Sequence, residues 1–509
     1  MAKSLKSGAR KKKSNTIRKR ISNLEKELSQ IDLKVRTGEV VEARKKLKLI
    51  SRKVLEGEHL TWMANLCRRT GLYELGLRSL QEVVASEVND FSLDARKKQE
   101  VEYALLLIRT GAGTTASERL KQPALDLIPS VYFARGIQAL TVWDSGRASE
   151  AFLQYLSFNL NPYERLIGEL NLMDAFLTSQ KLDTQFDNLI VDFEQKARQS
   201  ENSRVLANCL EIRAIVEIKR GQESKAQASI QEAKKVLSKE KDLGFVALQK
   251  AQSLLDAVTK KSVEPLAAYR RNCIANGNWE AARSADLEML KMDPTQKRFD
   301  RIYFGSPFPT LRAFLRQNFP ELIVADRYRF GSLSGGTYRV QDGVYRSHQL
   351  FEGAELLKCL SEHLFTDLYK PASIIDLGRA LYPEIHEDHF QSRHNLMQLV
   401  QRLNKTFFVA GVPLKVRQER WKLQMTRLGP LAIEVPANWQ LSRPHRPQMK
   451  DHFNKLREGF SNQSFKSKKA AELLSCSQPT AKRYLHQWVE EGRLAKSGVG
   501  RATRYKVIR

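Results

Sequence analysis

Gln478, Thr480, Lys482, Arg483 and His486 stand close together near the C-terminal end, opposite an apolar stripe of Ala481, Leu485 and Trp488. Side chains of these types on one helix face suit a nucleic-acid groove. Gln can read adenine, Arg can read guanine, and Lys neutralises phosphate. Arg501, Arg504 and Lys506 follow in a glycine-containing stretch, placed to reach phosphates or a minor groove. A second set stands upstream. Gln391, His394 and Gln398 fall on one face of a helical pattern, and Lys415 and Arg417 alternate with Leu414 and Val416.

Patterns for bond-making chemistry are missing. His386 and His389 lie in IHEDH near His394, but no HExxH or CxxH arrangement occurs, so a polar helix start is the simpler reading. The five cysteines, Cys67, Cys209, Cys273, Cys359 and Cys476, form no CxxC pair. GAGTT at Gly111 lacks the Lys-Ser/Thr of a phosphate loop, GSLSGG has the wrong spacing for a nucleophile elbow, and Gly498 and Gly500 lead into a strand. The expectation is a non-enzyme with no catalytic residues, no cofactor and no metal.

The elements that must hold the C-terminal set can be read in order. Lys468 to Leu474 make a short helix, Ser475–Cys476–Ser477 a tight turn, and Ser477 an N-cap for a second helix from Gln478. Gly492 ends that helix, and Leu494 pairs with the run Thr503 to Ile508 across a basic loop. This order resembles the winged helix-turn-helix domain of bacterial transcriptional regulators. The resemblance covers about 45 residues and implies that the second helix enters a major groove.

The upstream set sits in a comparable frame. Leu356, Leu360 and Leu364 fit one helix, Ser373 to Leu381 a second, and Phe390 to Phe407 a third whose buried side is Leu396, Leu399, Val400, Leu403 and Phe407. A basic hairpin follows. The segment is similar to the winged helix of response-regulator effector domains, with Arg420–Trp421 where that family has Gly-Tyr.

Residues 36 to about 295 read as consecutive helix pairs. A Gly ends the first helix, and a small residue five positions later lets the second pack closely: Gly38 and Ala43, Gly71 and Gly76, Gly146 and Ala151, Gly221 and Ala226, Gly277 and Ala282, with a weaker unit at Gly111. These units resemble the tetratricopeptide repeat, which implies a curved solenoid that binds a protein or peptide. Residues 296–348, rich in Gly, Pro and aromatics, suggest a connector of short strands and turns.

The expected fold class is mostly α: a TPR-like solenoid followed by two small α+β winged-helix domains. The domains are a basic arm (1–20), the repeats (21–295), the connector (296–348), a winged-helix-like domain (349–430), a linker (431–450) and the C-terminal winged helix (451–509).

Charge supports a division of labour. The 509 residues hold 85 Lys and Arg against 57 Asp and Glu, a net charge of +28. Residues 1–50 carry +11 and 401–509 carry +16, whereas 51–300 carry only +1 and 301–400 balance to zero. Basic ends suit a polyanion, although they also suit solubility or acidic surfaces. No run of about 18 apolar residues occurs, so no membrane partner is expected, and a reducing cytoplasm is the natural setting. The first functional reading is a DNA-binding transcriptional regulator whose repeats receive a protein or peptide signal. The alternative is an assembly scaffold, similar to proteasome-lid and initiation-factor subunits, whose winged helices dock proteins or RNA. The oligomeric state and the DNA site are open.

Overall fold

The computed structural model describes residues 23–35, 39–50, 55, 57–84, 94–180, 182–200, 202–237, 246–324, 327–330, 344–345, 351, 354–382, 389–427, 432–436, 449–460, 463–474, 478–498, 500 and 503–508. The chain divides into two compact units, Met1–Ser442 and Arg443–Arg509.

The first unit is mainly helical. Its helices begin with α1 (23–35), α2 (Val40–Leu49), α3 (Gly57–Thr70), α4 (Tyr73–Val84), α5 (Asp94–Arg109), α6 (Gly113–Arg119), α7 (Pro129–Thr141) and α8 (Ser145–Leu156). There follow α9 (Pro162–Ser179), α10 (Thr184–Gln199), α11 (Ser203–Lys219), α12 (Glu223–Leu237), α13 (Val246–Thr259), α14 (Glu264–Ala275), α15 (Trp279–Met292), α16 (Gln296–Gly305) and α17 (Pro309–Asn318).

One local device sets most of the turns. A residue in the left-handed region ends a helix, and the next N–H reaches back to a carbonyl five residues earlier. Leu72 donates to Cys67 (2.8 Å), Ala112 to Leu107 (2.8 Å), Asp144 to Ala139 (3.0 Å), Gln222 to Glu217 (2.8 Å) and Asn278 to Cys273 (2.8 Å). Five positions after the left-handed residue the following helix buries a small side chain. Gly76 is the tightest case, because a Cβ there would lie 2.9 Å from Leu106 Cδ2.

Two expectations change. In the turn before α8 the left-handed residue is Trp143 (φ 59°), not Gly146, and the buried small residue is Ala148, not Ala151. Trp143 is fixed by tertiary bonds: its indole N–H donates to Glu280 Oε2 (2.8 Å), and its carbonyl accepts from Thr310 Oγ1 (3.0 Å). The long interval between Gly146 and Gly221 in turn holds a further pair, α9 and α10, whose left-handed residue is Gln180 (φ 60°). The turn at Gly38 lies outside the described residues.

Each helix from α3 to α15 packs against the next, and the odd-numbered helices α3, α5, α7, α9, α11, α13 and α15 also touch in succession. The odd layer is therefore the tighter one, corresponding to the inner layer of a TPR-like solenoid. The helices do not stop at residue 295. Phe299, Ile302, Tyr303 and Phe304 of α16 and Leu311 and Leu315 of α17 share a core with Leu287 and Leu290 of α15. The Gly, Pro and aromatic residues of 296–318 thus build helices, not strands. Pro309 occupies the first turn of α17, where a missing N–H costs nothing.

Strands β1 (Arg327–Phe330), β2 (Val344–Tyr345) and β6 (Ala432–Pro436) form one sheet, with β6 in the middle, antiparallel to β1 and parallel to β2. Residues 432–436 therefore belong to a sheet, not to the linker expected over 431–450.

Between these strands lies the first winged helix: α18 (Glu355–Phe365), β3 (Ala372–Ser373), α19 (Ile374–Leu381), α20 (His389–Val409), β4 (Leu414–Glu419) and β5 (Lys422–Arg427), with sheet order β3-β5-β4. Its core is continuous with that of α1–α7. Asp376, in the first turn of α19, accepts from Thr115 N (2.9 Å), Thr115 Oγ1 (2.8 Å) and Thr114 N (3.3 Å), and Arg379 pairs with Glu118. Burial pushes the Asp376 carboxyl up against the pull of those donors.

The loop after α18 is anchored equally firmly. Arg283 of α15, wholly buried, donates to Asp367 Oδ1 (2.6 Å) and Glu280 Oε2 (2.5 Å) and lies 4.7 Å from the ring centres of Phe308 and Tyr369. Tyr369 donates its hydroxyl to Asp286 (2.8 Å), which also holds Arg270 (2.6 Å) and Arg301 (3.2 Å).

The second unit repeats the same order. Helix α21 (Met449–Gly459) comes first, and Phe465 then bridges Tyr505. Helices α22 (Ser467–Leu473) and α23 (Gln478–Glu490) follow, and β7 (Leu494–Ser497) pairs with β8 (Arg504–Val507). Its own core contains Leu456, Phe465, Ala470, Ala481, Leu485, Trp488, Leu494 and Tyr505. Helix α21 begins at Met449, inside the expected linker, and adds Phe453, whose ring meets Trp488 edge-on at 5.3 Å.

Candidate nucleic-acid interface

Helix α23 is oriented by its apolar stripe. Ala481, Leu485 and Trp488 are fully buried, so the residues between them face outward. Lys482 and Arg483 are exposed and make no ion pair among the described residues. Gln478 is exposed and donates to Ser467 Oγ (3.3 Å), while His486 stands 3.3 Å from Glu490 Oε1, one turn on. Both are partly engaged within the module. Thr480 lies in the first turn of α23. The side chain of Thr480, the turn 475–477 with its Ser477 cap, and Arg501 lie outside the described residues.

The wing follows from strand alternation. Tyr505 and Val507 are buried, so Arg504 and Lys506 point the other way and are exposed. Arg504 donates to Ser464 Oγ (3.4 Å), beside the bridge between Phe465 and Tyr505.

Sequence reading missed an additional basic group. Lys466 caps α22, and Lys468 and Lys469 sit exposed in its first turn, with no acidic residue there. Cations at a helix N-terminus oppose the helix dipole, so these lysines do not serve the helix. The signal was present as SFKSKK, a lysine cluster immediately before an apolar helical pattern. Across residues 443–509 there are 16 Lys and Arg against 5 Asp and Glu, a net charge of +11.

The first winged helix has the same topology and a different setting. Gln391, His394 and Gln398 are exposed on α20, with His394 Nε2 3.0 Å from Gln398 Nε2. Lys415 and Arg417 are exposed on β4, because Leu414 and Val416 turn inward. Asn404 of α20 clamps Val416, accepting from its N–H (2.7 Å) and donating to its carbonyl (2.9 Å). Arg393 covers the Trp421 ring at 4.9 Å. The α19 flank is closed by α6, and residues 349–430 hold 11 Lys and Arg against 9 Asp and Glu, a net charge of only +2. The structure therefore brings the expected residues together in two separate groups, only one of which is strongly basic.

Among the described residues no group of three or more His, Cys, Asp or Glu side chains could hold a metal ion. Among them too, no helix is long and apolar enough to cross a membrane. Cys67, Cys209, Cys273 and Cys359 are buried thiols, and Cys476 lies outside the described residues.

No protein-family model matches the chain. No curated protein matches it either. Eight chains of known structure match. One is a crystal structure of Rap protein complexed with competence and sporulation factor, 12% identical, covering 76% of this chain and 99% of that one, with a TM-score of 0.33. So loose a superposition carries no argument about function, which has to rest on the geometry of the chain itself.

Proposed function

We propose that the protein is a non-enzymatic DNA-binding transcriptional regulator. Its C-terminal winged helix contacts DNA through α23 and the β7–β8 wing, and its helical repeats receive a protein or peptide signal. The observation that carries this reading is the exposed Lys482–Arg483 pair on the outward face of α23, which makes no ion pair among the described residues, in a module of net charge +11. Gln478 and His486 stand on the same helix, and Arg504 and Lys506 on the wing flank it.

The first winged helix supports a different reading of its own role. With α19 bonded to α6 and little net charge, it serves better as a protein-docking or structural piece than as a second DNA reader.

The test is binding of the full chain to mixed DNA fragments over a salt series, beside Lys482→Ala/Arg483→Ala. Removing one phosphate-neutralising charge should flatten the slope of log affinity against log salt by about 0.9, so the double variant should flatten it by up to about 1.8. An unchanged slope, or no binding beyond that of a generic basic protein, would refute DNA contact here and favour the scaffold reading. Tighter binding of RNA than of DNA would move the proposal to an RNA partner.

A further inference from the structure

Helix α20 of the first winged helix ends in an apolar tip that the fold does not use. Phe407 turns into the core and is fully buried, but the next two residues, Phe408 and Val409, are 86% and 75% exposed. Among the described residues no large apolar side chain is more exposed than Phe408. The helix end is nonetheless closed. The Val412 N–H donates to the Phe407 carbonyl (2.8 Å) around Gly411, which takes φ 66°, and Asn404 bonds both backbone groups of Val416 on β4. The exposure therefore belongs to a capped helix end and not to a frayed one. A fixed apolar pair in water with a polar rim is the signature of a contact surface.

The rim is basic. Lys405 lies one turn before Phe408 and Val409, and Arg402 one turn before Lys405, both exposed on the same face. Exposed Lys415 and Arg417 follow on β4, which Asn404 ties to the last two turns of the helix. None of these four side chains makes an ion pair among the described residues. Residues 389–418 hold five Lys and Arg and no Asp or Glu. The small net charge of the whole module thus hides an edge of one sign.

An occupant of this edge must bring apolar side chains for the tip and negative charge for the rim. The DNA backbone supplies charge without apolar surface, and helices that read a groove do so from their N-terminal end. A second copy of the chain would bring the same positive rim, and like charges oppose that contact. We infer that the α20 tip docks an acidic segment of a partner protein, whose large apolar side chains seat on Phe408 and Val409 while its carboxylates meet Arg402 and Lys405. An amphipathic helix with apolar anchors one turn apart and Asp or Glu beside them has that chemistry. The inference rests on the reading of the first winged helix as a protein-docking piece, and adds to it the surface and the class of partner.

The probe is a displayed set of helical peptides of about four turns, with Leu and Phe anchors one turn apart and the remaining exposed positions drawn from acidic, neutral or basic pools. A further acidic pool carries Ser at the anchors. Peptides retained by the immobilised full-length protein are titrated by fluorescence anisotropy. Retention should favour the anchored acidic pool over the acidic pool without anchors, which separates docking from general attraction to a chain of net charge +28. Affinity should fall about tenfold or more in Phe408→Ala, whose side chain is too exposed to support the fold, and about threefold in Arg402→Gln/Lys405→Gln. Arg402→Glu/Lys405→Glu should shift retention toward the basic pool, a readout that lost folding cannot produce. Retention indifferent to the anchors, or affinity unchanged in Phe408→Ala, would overturn the inference. Binding that only Lys415→Gln/Arg417→Gln weakens would overturn the tip and leave the docking reading standing. Weaker DNA binding in Phe408→Ala would overturn both. Phosphatidylserine vesicles that bind the chain but not Phe408→Ala would replace the protein partner by a lipid surface.

Discussion

Asp367→Ala tests how the helical repeats hold the first winged helix. Asp367 accepts from Arg283 (2.6 Å) and from the N–H groups of Tyr369 (2.9 Å) and Lys370 (3.2 Å). Its removal leaves Arg283, wholly buried, with Glu280 as its remaining carboxylate, and Glu280 is 41% exposed. Breaking a buried pair costs about 3–5 kcal/mol. The residual Glu280 contact and the flanking Phe308 and Tyr369 rings reduce that figure, while two freed N–H groups add to it at about 1 kcal/mol each. The expected cost is about 4 kcal/mol. The assay is hydrogen exchange of the amides of α15 and residues 366–370, which reports local opening without requiring the whole chain to unfold in two states. Exchange there should accelerate about a thousandfold. Arg283→Met removes the charge and keeps apolar volume, so the double variant should open less readily than Asp367→Ala alone. A cost below about 1 kcal/mol, or strictly additive single and double variants, would refute the claim that this pair ties α15 to the winged helix.

Gly146→Ala should be neutral or stabilise by up to about 0.5–1 kcal/mol, since Gly146 lies inside α8 and an added Cβ would meet only Asp144 Oδ1, at an ordinary contact distance of 3.7 Å. Gly71→Ala, at φ 78° and with Arg44 Nη2 3.0 Å from the added carbon, should cost about 1–2 kcal/mol. Urea titrations of the two would expose an error in the repeat register if the order were reversed. Gly136→Ala would bring a Cβ within 2.5 Å of the Phe152 ring and should cost about 1–3 kcal/mol. Glu211 has a folded pKa of about 8 against an ordinary 4.5, with Asp174, Lys250 and Tyr269 around it. Its contribution to stability is therefore full below about pH 4.5 and declines as pH rises to about 8. Glu211→Gln should flatten the pH dependence of unfolding across that window. An unchanged profile would refute the assignment.

The turns are legible in the sequence wherever glycine supplies the left-handed residue, because a single residue type then marks the end of a helix. Trp143, Gln180 and Lys261 perform the same task without glycine. Tertiary bonds hold Trp143 in place, and no local pattern announces them. The pair α9–α10 has no glycine signature for the same reason. Helices α16 and α17 are hidden for the opposite one: Phe299, Tyr303, Phe304 and Pro309 suggest strands and turns until a shared core with α15 organises them. The outward face of α23 is readable from Ala481, Leu485 and Trp488 alone. The mutual influence of Asp174, Glu211, Lys219 and Lys250 is not, because they are spread over 77 positions of sequence and act on one another only once the helices stack. The bonding of Asp376 to Thr115 is likewise invisible across an interval of 261 residues.

The chain uses one topology twice, and the difference between the copies separates fold from function. The first winged helix places a short first strand against its third, and the second does the same with the single Phe465–Tyr505 bridge. In the first, α19 is bonded to α6, Lys422 is desolvated enough to lower its ammonium pKa, and exposed Lys415 and Arg417 stand in a module of net charge +2. In the second, Lys468 and Lys469 oppose the dipole of the helix that bears them and join a net charge of +11. If winged-helix shape alone recruited a polyanion, neutralising either set would weaken DNA binding alike. If charge placement decides, Lys468→Gln/Lys469→Gln should flatten the salt slope of the full chain by about 1.8, and Lys415→Gln/Arg417→Gln should leave it unchanged. Equal flattening by the two pairs would assign both modules to DNA, and an effect confined to Lys415 and Arg417 would reverse their roles.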